Sequence, residues 1–344
     1  MALQNMTLPF GTAADGADAS LFVVSDDSGM TVAATDLGAS LVSVKVPDAH
    51  GNLVDVTLGY GGAARYADNA ICLGAVVGRC AGRIRGASFE LGGTTHRLTA
   101  NEHGNSLHSG PNFWHGRLWK AERTSEPGTL SFSLHSPAGD QGYPGSVDAT
   151  VTYRLTETNE LHVTFAARPS EPTIVNMTTH AYWNLNGHAS GDVLDHVLCL
   201  DASSYLPCTE KLIPTGEVAP LTSELDYSSP ATLGARALGP RLDTPFVLDA
   251  GDGGSCEHAA RLVGDRSRIA LDFSTTAPGL LVYSGYWLDA SDAKDGAHYG
   301  ANAGVALEPM FYPDAIHHPE FPSPVFSPER PYEQHHVLAF SIAE

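Results

Sequence analysis

The chain reads as an all-β protein, a large antiparallel β-sandwich, on three features of its sequence. Apolar and polar residues alternate in many short runs, glycines and prolines punctuate those runs, and long amphipathic helical periods are nearly absent. Val147, Ala149, Val151, Tyr153 and Leu155 alternate with Asp148, Thr150, Thr152 and Arg154. Leu161, Val163, Phe165 and Ala167 do the same against His162, Thr164 and Arg168. Such a strand hides one face and wets the other, which antiparallel sheets packed face to face accommodate. Shorter alternations at 42–46, 130–134, 269–273 and 338–342 read as further strands, and 89–98 reads as a hairpin turned at Gly92-Gly93. No linker, charge run or internal repeat divides the chain, so one domain over residues 1–344 is expected. The turn-rich stretches 249–255 and 289–304 read as loops within it.

Composition narrows the function. With 19 basic and 39 acidic residues the net charge is -20, a field that repels polyphosphate and argues against a nucleic-acid partner. A neutral ligand is indifferent to it. Cys72, Cys80, Cys199, Cys208 and Cys256 are odd in number, widely spaced and without a Cys-x-x-Cys pair, which fits a reducing compartment better than a disulfide framework. No signal peptide and no apolar run near the roughly 20 residues of a membrane span are visible, so a cytoplasmic protein with no membrane partner is expected. The glycosylation-like triplets at Asn5 and Asn176 are then read as chance.

Gly59-Tyr-Gly-Gly-Ala-Ala64 formally matches a dinucleotide-binding fingerprint after the strand-like run 54–58. No acidic residue stands between Asp68 and Glu90 and no βαβ pattern follows, so the segment reads as a glycine-rich turn. There is no Walker A sequence, and no cofactor is expected. The spacing of His103 and His108, and the pairs His317-His318 and His335-His336, do not form a zinc pattern, so no metal is expected either.

Two segments carry the chemistry. Ile174-Val-Asn-Met-Thr-Thr-His-Ala-Tyr-Trp-Asn-Leu185 sets His180 among hydroxyl, amide and aromatic side chains, and Gly304-Val-Ala-Leu-Glu-Pro-Met-Phe-Tyr-Pro-Asp-Ala315 sets Glu308 in an apolar run. A carboxylate there is costly unless it has a purpose or a partner. A histidine and a carboxylate together move one proton onto a substrate and another off it. Trp183 has a face suited to a sugar ring, although a large aromatic on a strand is more often core.

These segments, in this order, resemble the aldose 1-epimerase (mutarotase) family. Asn176 to Leu185 resembles its Asn-Leu-Thr-Asn-His-x-Tyr-Phe-Asn-Leu, and Leu307 to Pro322 its Leu-Glu-x-Gln-x-x-Pro-Asp-Ala-x-Asn-x-Pro-x-Phe-Pro. Gly78-Arg-Cys-Ala-Gly-Arg-Ile84 resembles Gly-Arg-x-Ala-Asn-Arg-Ile, and Asn105-Ser-Leu-His-Ser-Gly110 resembles Asn-x-Leu-His-Gly-Gly. Asp243, in Arg241-Leu-Asp-Thr-Pro-Phe-Val-Leu-Asp249, falls on Tyr-Asp-His-x-Phe-Val-Leu, with Asp226 as its competitor. Three positions depart from the pattern. Gly82 replaces an asparagine, Thr244 a histidine, and Leu281, in Pro278-Gly-Leu-Leu-Val-Tyr-Ser-Gly285, a glutamine.

The resemblance implies the family's β-sandwich, an open cleft, and interconversion of the α and β anomers of free aldoses without a cofactor. Glu308 takes the place of the base and His180 that of the acid, while Arg83, His108 and Asp243 take places that grip sugar hydroxyls. Asp314 is expected to be structural. A carboxylate near His180 is expected to raise its pKa and favour the acid form. The rival readings are a glycoside hydrolase using Asp243 and Glu308, a non-catalytic carbohydrate-binding module, and an epimerase of sugar phosphates. The partner expected is a monosaccharide, and the protein a monomer or homodimer.

Overall fold

The computed structural model describes residues 3–13, 15–27, 29–236, 238–251 and 254–344. Among these residues the alternating runs are strands. Val147–Leu155 buries every second side chain and pairs on one edge with Thr129–Ser136 and on the other with Glu160–Pro169, all antiparallel. Tyr332–Ile342 continues from Glu160–Pro169, and Ile269–Thr275 follows it, in a nine-stranded sheet. Ser88–Leu91 and Thr94–Arg97 form the expected hairpin about Gly92-Gly93, both with positive φ. Residues 252 and 253 of the expected loop 249–255 lie outside the described residues.

The glycine-rich stretch at 59–62 leads into one turn of helix, Ala63–Ala67, and among the described residues the strands that follow pair antiparallel. The βαβ layout of the dinucleotide fingerprint is not the one these residues adopt.

The N-terminal sheet, from Gln4–Thr12 to Leu53–Asp55, packs its apolar face on the nine-stranded sheet. Phe22 meets Phe132 edge to face at 5.3 Å, and the Tyr153 hydroxyl donates to the Ala39 carbonyl at 2.8 Å. One buried apolar cluster runs from Val24 to Phe340 and takes in Val151, Tyr153, Trp183, Val305 and Leu307.

A six-stranded sheet positions the chemistry. Its first four strands are, in spatial order, Tyr182–Trp183, Val305–Met310, Gly279–Tyr283 and Asp243–Val247. All six residues of Val305–Met310 are buried, which explains why this segment is apolar apart from Glu308 rather than alternating. Period-two geometry still separates its faces. Val305 and Leu307 enter the main core, whereas Ala306 and Met310 join smaller clusters on the other side, the side that carries Glu308. Along the neighbouring strands, Trp183, Val282 and Phe246 likewise face the core. Tyr182, Leu281, Tyr283 and Asp243 face a cleft. No helix of the described residues is long and apolar enough to cross a membrane.

Candidate active site

The cleft has a volume of about 510 Å³, and its lining includes Arg83, His108, His180, Asp243 and Glu308. All five residues singled out from the sequence meet there, although up to 225 positions separate them in the chain (from 83 to 308).

Backbone bonds on both sides fix His180. Its N–H donates to the Ala75 carbonyl at 2.8 Å, and its own carbonyl accepts from the Gly74 N–H at 2.9 Å. Gly74 has φ +70°, and a Cβ there would lie 2.0 Å from the Leu41 carbonyl oxygen, so only glycine fits this support. The imidazole Nε2 stands 3.5 Å from Glu308 Oε1. Good N–H···O bonds run roughly 2.7–3.2 Å, so the two groups face each other at the long edge of a hydrogen bond. Both are buried, and His180 Nδ1 and Glu308 Oε2 have no hydrogen-bond partner.

Burial dominates the electrostatics of this pair. It pushes the His180 pKa down to about 4. It pushes Glu308 well above the usual carboxylate value, with the nearby Asp243 charge adding to the rise and Arg83 opposing it. The expectation that a neighbouring carboxylate raises the pKa of His180 is therefore corrected. At 3.5 Å, in a desolvated wall, the cost of burying imidazolium exceeds the attraction of a carboxylate that burial itself neutralises. These opposite shifts make the carboxyl hold a proton more tightly, and the imidazole less tightly, than either does in water.

Arg83 reaches the cleft from the strand Arg83–Ile84. Its Nε lies 3.2 and 3.3 Å from the two Glu102 oxygens, and its terminal nitrogen donates to Glu102 at 2.8 Å. Burial works against its charge, but Glu102 and Asp243 outweigh burial and hold its pKa above the ordinary value. The first arginine of the same motif does something else. Arg79 is fully buried and donates to the carbonyls of Pro144 and Gly145 and to the Ser136 hydroxyl, so it ties loops together.

His108 has φ +53°, and its Nδ1 accepts from the Gly82 N–H at 3.2 Å. That bond places the other ring nitrogen as a donor and fixes the tautomer. Burial, with the nearby His180 and Arg83, holds its pKa well below the usual value. Asp243, raised by burial and partly restrained by Arg83, lines the cleft. Asp226 does not line it, and its carboxylate caps the turn at Ser228. Asp314 is structural as expected, accepting from the Arg85 N–H at 2.8 Å and from His317 at 2.6 Å.

Trp183 packs in the core against Phe340 and does not reach the cleft. Asn184 turns inward to the carbonyls of Gly191 and Ala303, whereas Tyr182 lines the site and donates to the Ile71 carbonyl. The paired histidines are occupied locally: His317 and His318 face Asp314, His335 meets His162 and Thr164, and His336 meets Thr275.

Sequence reading missed Glu102 and the aromatic rim. Tyr283, Tyr286 and Trp287 step outward with ring centroids 5.4 and 5.5 Å apart, and Trp287 is 76% exposed. Glu102 adjoins His103 in the segment already singled out, so that signal was available. Tyr286-Trp287 follows an apolar strand and carries no mark that separates it from core.

The model of the aldose 1-epimerase family matches residues 20–339. The chain belongs to the aldose 1-epimerase family. Galactose mutarotase of Homo sapiens is 36% identical over 315 residues, covering 89% of this chain and 90% of that protein. Aldose 1-epimerase of Escherichia coli K12 is 36% identical over 321 residues, covering 91% and 92%. Among solved structures, the aldose epimerase homologue from C. elegans superposes with a TM-score of 0.89 at 29% identity, covering 95% of this chain and all of that one. The galactose 1-epimerase of Lactobacillus acidophilus superposes at 0.85 with 24% identity and shows the shared fold. The family's β-sandwich is therefore the fold of this chain.

Proposed function

We propose that the protein is an isomerase that interconverts the α and β anomers of free aldoses such as glucose and galactose, with Glu308 and His180 as its proton-transfer pair. The observation that carries this reading is the facing of Glu308 Oε1 and His180 Nε2 at 3.5 Å on the wall of a cleft whose polar side holds Arg83, His108 and Asp243.

Glu308 takes the proton of the anomeric hydroxyl while His180 gives one to the ring oxygen. The bond from the anomeric carbon to the ring oxygen breaks and the aldehyde forms. Rotation about the first carbon–carbon bond presents the other carbonyl face, and closure reverses both transfers. The pair begins and ends with one proton, so the step is balanced without a co-reactant. A sugar hydroxyl donating to Glu308 favours the carboxylate, and the ring oxygen accepting from His180 favours its N–H, so binding draws the shared proton towards the imidazole. Arg83 keeps its other terminal nitrogen to donate to sugar hydroxyls, while Glu102 holds the guanidinium in place through Nε and one terminal nitrogen.

We read the chain as one domain, on a buried cluster that runs from Val24 to Phe340. The free thiols of all five cysteines support a cytoplasmic location. Polarimetry of freshly dissolved glucose, galactose, xylose and arabinose, without added metal or nucleotide, tests the activity. An enzyme-dependent rate with at least one of them is expected, and the spontaneous rate for all four would end the proposal.

A further inference from the structure

Glu308 sits in a wall from which hydrogen-bond donors have been withdrawn. Its Oε2 is buried without a partner, and the surrounding side chains explain why. Leu281 stands directly across from it in the antiparallel register of Gly279–Tyr283 with Val305–Met310, so the two side chains are nearest cross-strand neighbours on one face. Leu281 packs with Cys72, Val77, Ala81 and Met310 in one buried apolar cluster.

The titratable and charged groups facing Glu308 are His180, Cys72, Tyr182, Tyr283, Asp243 and Arg83. Three of them commit their donors elsewhere. The Cys72 thiol lies 3.6 Å from His115 Nδ1, a ring that burial keeps neutral by pushing its pKa down to about 4, and is engaged there. The Tyr182 hydroxyl donates to the Ile71 carbonyl at 3.2 Å, and Arg83 gives its Nε and one terminal nitrogen to Glu102. The Tyr283 oxygen accepts from the Trp287 N–H at 3.1 Å, and Asp243 is itself an acceptor when ionised.

We propose that Leu281 is a positioning residue that acts through Glu308, keeping the inner carboxyl oxygen free of any protein donor so that the carboxylate, once formed, is a strong base. The inference rests on the reading of Glu308 as the base, and it concerns this chain's own departure at 281. An amide there would donate to the inner oxygen, stabilise the carboxylate and weaken it as a base. A charge-assisted hydrogen bond of that kind is worth about 1.5–3 kcal/mol, which corresponds to about 1–2 pH units in the titration of the carboxyl.

The test is a titration of the Glu308 carboxyl by carbon-13 NMR, with the Glu308→Gln protein identifying its signal, in the wild type, Leu281→Gln and Leu281→Met. The wild-type carboxyl should titrate above the range of an ordinary glutamate. Leu281→Gln should lower that midpoint by about 1–2 units and move the alkaline limb of the kcat/KM profile to lower pH by a similar amount. Leu281→Met, of similar volume and without a donor, should leave both in place. A wild-type midpoint near the ordinary value of about 4.3 overturns the proposal even if no Leu281 variant folds. So does a Leu281→Gln midpoint equal to that of wild type, or a Leu281→Met shift as large as the glutamine's. Undiminished turnover in Glu308→Gln would instead remove Glu308 as the base, and the titration would still report whether its surroundings lack donors.

Discussion

Replacing Glu308 by glutamine separates catalysis from binding and from stability in one protein. Glutamine keeps the size and the hydrogen-bonding shape of the side chain but accepts no proton. General-base participation contributes roughly 10²–10⁴-fold, which at about 1.36 kcal/mol per decade is about 2.7–5.4 kcal/mol of barrier. The unpartnered Oε2 and the raised pKa place this carboxylate among the stronger bases, so a loss towards the upper end is expected. Sugar affinity should change little, because Arg83, His108 and Asp243 are untouched. Stability should move the other way. Folding raises the Glu308 pKa, so its contribution is fully present below the unfolded value and is lost as pH rises through the folded one. Glutamine has no such loss, so the Tm advantage of Glu308→Gln over wild type should be small near pH 4.5 and widen towards pH 8. Polarimetric kcat, ligand-observed NMR affinity and calorimetric Tm at the two pH values supply the readouts. A kcat within about threefold of wild type, or a Tm gap that does not grow with pH, would refute the reasoning.

Three further outcomes follow from the geometry. His180→Asn should lower kcat by roughly 10²–10⁴, and the double variant with Glu308→Gln should be little worse than either single one, since both serve one event; multiplying losses in stopped-flow polarimetry would contradict a shared step. Glu102→Gln should release the Arg83 fork and raise KM by about tenfold with a smaller effect on kcat, in keeping with one charge-assisted contact at a partly exposed site; an unchanged KM would show that Arg83 needs no anchor. Trp287→Ala should raise KM by about 2–10-fold through lost stacking while changing Tm little, as the ring is mostly exposed; a fall in kcat at constant KM would place Trp287 in the chemistry instead.

Sequence pattern made the sandwich legible because strand alternation is local. The run 147–155 states its own burial, and the structure bears it out residue by residue. The segment carrying Glu308 stood out for a related reason, since an ionisable residue in an apolar strand is visible without its neighbours. What stayed hidden depends on contacts between distant positions. Glu102 matters because folding brings it onto Arg83, 19 residues away in the chain. Trp183 and Trp287 look alike as sequence, yet the first packs on Phe340 and the second stands at the rim. The pKa order of the central pair was misread because burial, which no local pattern reports, outweighs the neighbouring charge.

That reversed order bears directly on how the site works. In water, histidine near 6.5 holds a proton against glutamate near 4.3, so moving it from imidazolium to carboxylate costs about two pH units, or about 3 kcal/mol. With the roles proposed above, ring opening makes this same net transfer through the sugar: Glu308 would gain a proton from the anomeric hydroxyl and His180 would lose one to the ring oxygen. In the cleft, burial lowers His180 and raises Glu308, so the transfer runs in the favoured direction. The protein thereby offsets part of the cost of forming the less stable open chain. The opposite bias comes from the sugar itself, because its hydroxyl donates to the carboxylate and its ring oxygen accepts from the imidazole only while the ring is closed. Closed and open forms are each matched to one location of the same proton. A catalyst that runs in both directions is served by that balance, and burial of both groups is the largest influence on it.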